Sequence, residues 1–190
     1  LGALCVCALV WPWFGGDDPN AIGDVLARRL SPPLTTDKSG HWHLLGTDAF
    51  GRDLTVRLWL AARVSLGVGV LGSLLAAVIG VGLGACAAWY RGLTERCILA
   101  VGDALLSIPR LVLLLVTAAL WGPGLRVVVA VLALTGWMSV MRLVRADVAR
   151  IRSHAFIEGA TALGVPDWRV LWRHVLPNAL GSTVVATTLG

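Results

Sequence analysis

Long uncharged runs alternate with short polar stretches along this chain. Val64 to Tyr90 is 27 residues without a charge. Crossing the hydrocarbon core takes about 20 residues at ~1.5 Å rise each, so this run predicts a tilted crossing at about 64–89. Leu111–Leu125 and Val127–Met141 are uncharged runs of 15 residues each. With their flanks they predict crossings at about 97–121 and 124–143, joined by a turn at "GPG". The stretch from Val175 to Gly190 is again uncharged and predicts a further, truncated crossing at 177–190. The first 14 residues, "LGALCVCALVWPWF", are apolar, with no basic n-region and no A-x-A-like site. They predict the end of a truncated transmembrane helix rather than a secretory signal. The expectation is therefore an internal piece of a longer polytopic protein.

Between the runs, the polar residues are organised. Residues 15–63 predict an extramembrane segment with turn signals at "GGDDPN", "SPP" and "DKSG". Near its end Leu54, Leu58, Ala61 and Ala62 recur at helical spacing, with Arg57 and Arg63 on other faces and Trp59 as an interface anchor. A helix lying on the membrane surface before the chain enters lipid at Val64 follows from that pattern. Within 64–89, Gly67, Gly69, Gly72, Gly80, Gly82 and Gly84 would allow close approach of helix backbones. Pro109 predicts a kink in the next crossing. Asp103 in that crossing is expected to be paired or water-exposed rather than to touch a substrate.

Composition reinforces the membrane reading. Hydrophobic residues make up 57% and charged residues 14%, against roughly a quarter charged in soluble domains. The net charge of +5 would suit a nucleic-acid partner, but its distribution points to topology instead. From Gly15 to Asp53 there are six acidic and four basic residues. From Arg142 to His174 there are six arginines against Asp147, Glu158 and Asp167. The positive-inside rule places the second segment in the cytoplasm and the first outside, which needs an odd number of crossings between them. The three predicted from 64 to 143 satisfy that.

Catalytic constellations are missing from the sequence. There is no H-E-x-x-H and no G-x-S-x-G. His41 and His43 are read as solvated loop histidines, and Cys5, Cys7, Cys86 and Cys97 as small apolar fillers. The only lysine, Lys38, follows Asp37, so no phosphate-binding loop of the Gly-Lys-Ser/Thr kind is present. If the chain uses ATP and magnesium, another subunit holds them. No cofactor or metal is assigned to this chain.

One polar stretch has a definite grammar. "SHAFIEGATAL" predicts a short helix that Gly164 can stop through a left-handed conformation. Pro166 suits the start of a second short helix, "DWRVLWRHV", and Pro177 is expected to break it before the next crossing. The picture is a short helix held out from the membrane by two flexible joints, within a loop at about 144–176.

These residues resemble the EAA signature of bacterial ABC-importer permeases. Glu158-Gly159-Ala160 is followed by three residues, Gly164, eleven more residues and Leu176-Pro177. Gly159 stands where that family usually has Ala, which costs roughly 1 kcal/mol of helix propensity. "RHVLPNAL", with Asn178, and "GTDAFGRD" narrow the likeness to the dipeptide/oligopeptide/nickel branch, and to its second permease subunit. The resemblance covers nearly the whole chain. It implies an all-α polytopic helix bundle of the type I importer kind, multi-pass in a bacterial cytoplasmic (inner) membrane. It implies an ATPase-docking helix carrying Phe156, Ile157, Glu158, Gly159, Ala160, Leu163 and Gly164. Leu176, Pro177 and Asn178 would be structural. So would Gly46, Thr47, Asp48, Gly51, Arg52 and Asp53, forming a fold-back on the outer face. The implied partners are a homologous permease, two cytoplasmic ATPase subunits, an extracytoplasmic solute-binding protein, lipid and a peptide-like substrate, with nickel chelates as the alternative. A stand-alone secondary transporter or channel, or a membrane anchor without transport, are the readings from other classes. The first would want repeated halves and intramembrane ion ligands; no repeat is visible, and Asp103 is the only acidic candidate within an apolar crossing.

Overall fold

The computed structural model describes residues 28–36, 40, 42–179 and 181. The expected crossing at 1–14 with Cys5 and Cys7, the loop residue His41, and most of the expected crossing at 177–190 lie outside the described residues. The chain divides into two compact units, Leu1–Gly69 and Val70–Gly190.

In the first unit two short strands, β1 (Thr35–Thr36) and β2 (Trp42–His43), pair antiparallel with Thr35 opposite His43. A further bridge joins Thr47 to Asp53. The first long helix among the described residues, α1 (Leu54–Tyr90), starts here and continues into the second unit. The expected surface helix and the expected crossing at 64–89 are one continuous helix of 37 residues. Nothing at Ala61–Val64 can stop it: there is no glycine, proline or capping residue at the junction. At ~1.5 Å per residue α1 is about 55 Å long, well beyond the thickness of a hydrocarbon core.

A tight reversal follows, with Arg91 and Gly92 both at positive φ (49° and 60°). Helix α2 (Gly92–Leu106) and α3 (Arg110–Trp121) come next, and their axes differ by 82°. The kink expected at Pro109 is thus a full break. Proline lacks an N–H and disfavours helical geometry in the residue before it, and Pro109 is extended, with ψ 128°. Gly122 to Gly124 then reverse the chain into α4 (Leu125–Arg152). That helix continues nine residues past 143, the expected end of the crossing; arginine is a good helix former, and those on this stretch have partners. Arg142 donates to Asp103 at 2.9 Å and Arg145 pairs with Glu95, both acids on α2. Charged residues held this way do not end a helix. Helices α1 and α4 are each long and apolar enough to cross a membrane, and the bent pair α2–α3 is a third candidate span.

Helices α1 and α4 meet through small residues. A Cβ added to Gly80 would lie 2.6 Å from the Trp137 carbonyl oxygen, and one on Gly84 would lie 2.7 Å from that of Met141. Gly67, Gly69 and Gly82 have open space where a Cβ would be. Among the described residues, close packing runs along the row Gly72, Ala76, Gly80 and Gly84, spaced four apart on one helical face.

Candidate functional site

The punctuated stretch folds into two short helices, α5 (Ala155–Ala162) and α6 (Asp167–Val170). A single-turn stop follows α5. Gly164 has φ 78°, its N–H donates to Thr161 O at 3.0 Å, and Val165 N–H donates to Ala160 O at 3.2 Å. These are the two bonds of a Schellman stop, which needs a left-handed residue at this position. Val165 and Ala160, the apolar pair that accompanies such a stop, pack against the adjoining core. Pro166 is extended and stands just before α6, and its carbonyl accepts from Arg169 and Val170.

Beyond α6 the structure departs from expectation. Pro177 does not break the chain. Residues 171–175 form a π-helical turn, in which Leu176 N–H donates to Leu171 O, and the helix continues through 176–179. Proline removes one i→i−4 bond and crowds the carbonyl four residues back. A widened turn immediately before it is a local way to relieve that crowding. Asn178 adds a side-chain donor to His174 O at 2.7 Å.

The expected joints do not stand clear of the helices: Val165 and Leu176 pack into a buried cluster. One buried cluster gathers Ala85, Ala88 and Trp89 from α1, Val144, Val148 and Ile151 from α4, Ile157 from α5, and Val170, Leu171, Val175, Leu176 and Ala179. Ile157 is only 3% exposed. Its expected role as an outward docking contact is therefore corrected: it is the anchor that holds α5 to the helices behind it. Phe156 (51% exposed), Glu158, Gly159 and Leu163 (86% exposed) face outward, and Ala160 is half-buried. On a helix of eight residues, composition alone does not reveal which apolar position turns inward. Beside α5, a hollow of about 330 Å³ is lined by Arg150, Ile151, His154, Phe156 and Asn178.

Arg152 locks this assembly and was not foreseen. Its Nη1 donates to Trp89 O at 2.6 Å, and its guanidinium lies 5.2 Å from the Trp89 ring centroid. It thus satisfies a carbonyl at the end of α1 with the charge that a helix C-terminus favours. An arginine in the last turn of α4 is visible in the sequence, but a partner 63 residues away is not.

In the first unit, "GTDAFGRD" folds back on itself. Gly46 has φ 78°, and a Cβ there would lie 2.3 Å from Ser31 O. Gly51 has φ 72°. Asp48 Oδ1 accepts the N–H groups of Phe50 (2.8 Å) and Arg52 (3.0 Å), while Oδ2 accepts from Arg52 Nε (2.9 Å) and Arg57 Nη1. Desolvation raises the Asp48 pKa, but the backbone donors at Arg52 and Phe50, then the Arg52 guanidinium, outweigh it and lower it to about 2. Asp53 caps α1: its Oδ1 accepts from Thr55 N–H (2.6 Å) and Val56 N–H (3.3 Å), and its Oδ2 accepts from His43 Nδ1 (2.7 Å). Desolvation raises its pKa too, and the His43 and Thr55 hydrogen bonds bring it below the ordinary value. Buried Thr47 accepts from Ser31 N–H (2.9 Å) and donates to Arg28 O. Every polar side chain of the motif is thus engaged with its own neighbourhood. His43 is buried rather than solvated, which corrects its reading as a loop histidine.

Among the described residues, no group of three or more His, Cys, Asp or Glu is placed to hold a metal. An apolar groove of about 470 Å³ runs between α3 and α4 past Thr117, Trp121 and Leu134.

Residues 63–190 match the family described as binding-protein-dependent transport system inner membrane component. The chain belongs to this family. Members of this inner membrane component family are transport components rather than catalytic enzymes. The chain is 31% identical over 186 residues to the dipeptide transport system permease protein DppC of Bacillus subtilis, covering 98% of this chain and 56% of that protein. It is 33% identical over 159 residues to the oligopeptide transport system permease protein OppC of Bacillus subtilis (82% and 52%). It is 30% identical over 189 residues to OppC of Haemophilus influenzae (100% and 59%). The chain spans just over half the length of these curated relatives. The match to the inner membrane component family takes in α2 to α6 entirely, and so the anchored α5 loop.

Proposed function

We propose that this chain is a membrane permease subunit of an ATP-driven, binding-protein-dependent importer of dipeptides or oligopeptides, and that α5 is its coupling helix. The observation that carries the reading is the two-sidedness of α5. Phe156, Glu158 and Leu163 face outward, while Ile157 is buried against α1 and α4. A short helix built this way can take up a displacement of a cytoplasmic ATPase and pass it to two long helices as a rigid-body tilt. Peptide substrates are supported by the names of the relatives. In this reading a homologous permease completes the pathway, two ATPase subunits dock on the α5 side, and an extracytoplasmic solute-binding protein delivers substrate. ATP and magnesium belong to the ATPase subunits, and the assembly sits in the bacterial inner membrane.

The test is reconstitution of the full-length protein with those partners in proteoliposomes. Labelled di- and oligopeptides should accumulate only with ATP and the binding protein together. Uptake driven by an ion gradient without ATP, or ATP-driven uptake of nickel but of no peptide, would overturn the reading.

A further inference from the structure

Six arginines lie between Arg142 and His174, and the structure divides them into two groups. Arg142, Arg145 and Arg150 pair with Asp103, Glu95 and Asp147, and Arg152 is bound to Trp89. Arg169 and Arg173 have no acidic partner among the described residues; Arg169 instead lies 5.4 Å over the ring of Trp168. The same short segment carries Trp168 (57% exposed) and Trp172 (51% exposed), while Val170, Leu171 and Val175 are buried on its other side. Successive residues four apart stack on one helix face, so the two tryptophans form a strip flanked by the two arginines. Immediately after this strip the sequence turns uncharged, from Val175 to Gly190. Asp167 is the one acid on the segment and stands at its start, away from Arg173.

We propose that Trp168, Arg169, Trp172 and Arg173 form a seat for anionic phospholipid headgroups at the cytoplasmic surface of the membrane. Indole rings favour the headgroup level, where the apolar body is buried and the N–H stays wet. Guanidinium groups bind phosphate bidentately. The buried side of the segment belongs to the cluster that holds Ile157. A lipid bound on the outer side therefore steadies the support on which α5 rests. The inference uses the cytoplasmic placement of the α5 loop, and is independent of which solute is carried.

The complete complex, with its ATPase subunits, is placed in nanodiscs of phosphatidylcholine and phosphatidylglycerol in which one lipid or the other carries brominated acyl chains. Bromine quenches nearby indole fluorescence. The contribution of these two tryptophans, among all those of the complex, is read as the difference between the native protein and Trp168→Phe/Trp172→Phe. The expected result is a relative association constant for phosphatidylglycerol over phosphatidylcholine on the order of tenfold, since each basic side chain near an anionic surface contributes severalfold. Arg169→Gln/Arg173→Gln should bring that ratio close to one while quenching itself persists. A ratio of one in the native protein overturns the proposal. So does absence of quenching by either lipid, which would show the face covered by a protein subunit. ATP turnover in the same discs, with binding protein and peptide added, separates the two readings. Peptide-stimulated turnover without lipid preference loses only the lipid seat; lipid preference in a complex that ignores binding protein and peptide loses only the importer reading.

Discussion

Gly164 shows how much one backbone angle can decide. No atom lies within 4 Å of where its Cβ would be, yet its φ is 78°. Substitution is therefore penalised by the backbone and not by crowding. Gly164→Val should cost roughly 1–2 kcal/mol in that conformation and shift the end of α5, so that ATP turnover continues while peptide uptake falls. Gly164→Asn, which tolerates a left-handed conformation, should keep both; paired turnover and uptake assays in proteoliposomes decide it. Glu158→Ala removes one exposed charge and should weaken uptake less than Gly164→Val. Asp48 is a residue-scale case with a pH signature. Its carboxyl titrates at about 2 instead of 3.8, so the charged form is favoured in the folded state. Its contribution is fully present above about pH 4 and is lost as pH falls through about 2. Hydrogen exchange should show constant protection of the Phe50 and Arg52 amides from pH 8 to 5, and lower protection in Asp48→Ala at neutral pH. Substrate binding should be unchanged in that variant.

At the scale of elements, the glycines of α1 separate into two kinds. Gly80→Leu or Gly84→Leu should force α1 and α4 apart, at the 1–3 kcal/mol or more typical of overpacking. Gly67→Leu and Gly82→Leu meet open space and should be tolerated. Thermal unfolding of the purified full-length protein, followed by size-exclusion fluorescence, would rank the four. The sequence showed that this run was rich in small residues, but not which of them face a neighbour, because several periodicities fit six glycines equally well. The starts of α4 and α5 were legible from glycine and from the return of polar residues, but the separate start of α3 at Arg110 was not, because Pro109 reads as a kink in one crossing. The ends were less so. Arg142 and Arg145 look like the polar margin of a crossing until Asp103 and Glu95 are placed beside them. Pro177 likewise looks like a terminator until a π-helical turn absorbs it. In both cases the deciding partner or adjustment lies outside any local pattern. The fold-back was better foreseen, because Asp48, Arg52 and Asp53 find their partners close by in sequence.

For the whole molecule, the proposed coupling role asks how a push on α5 would reach the membrane. Arg152 and the cluster around Ile157 join the ends of α1 and α4 to the loop. Arg152→Gln removes a charged hydrogen bond worth about 1.5–3 kcal/mol without touching the outward face of α5. Co-purification of the ATPase subunits should persist, while stimulation of ATP turnover by binding protein and peptide should drop severalfold. Loss of co-purification would instead mean that Arg152 shapes the docking surface itself.

The inward turn of Ile157 also bears on how freely such loops can be exchanged between transporters. A loop whose outer face alone mattered would behave as a cassette, and residues 153–165 could be replaced by those of a relative with a different ATPase preference. Here the cassette has a keel. Ile157 belongs to one buried cluster with residues of α1 and α4, and close-packed interiors register a change of a single methylene. If α5 is the proposed coupling helix, specificity for an ATPase and fit to one's own helices lie on opposite sides of the same eight residues. A graft carrying the outer side alone would find its new engine and fail to move with it, until the residues beneath were transplanted as well.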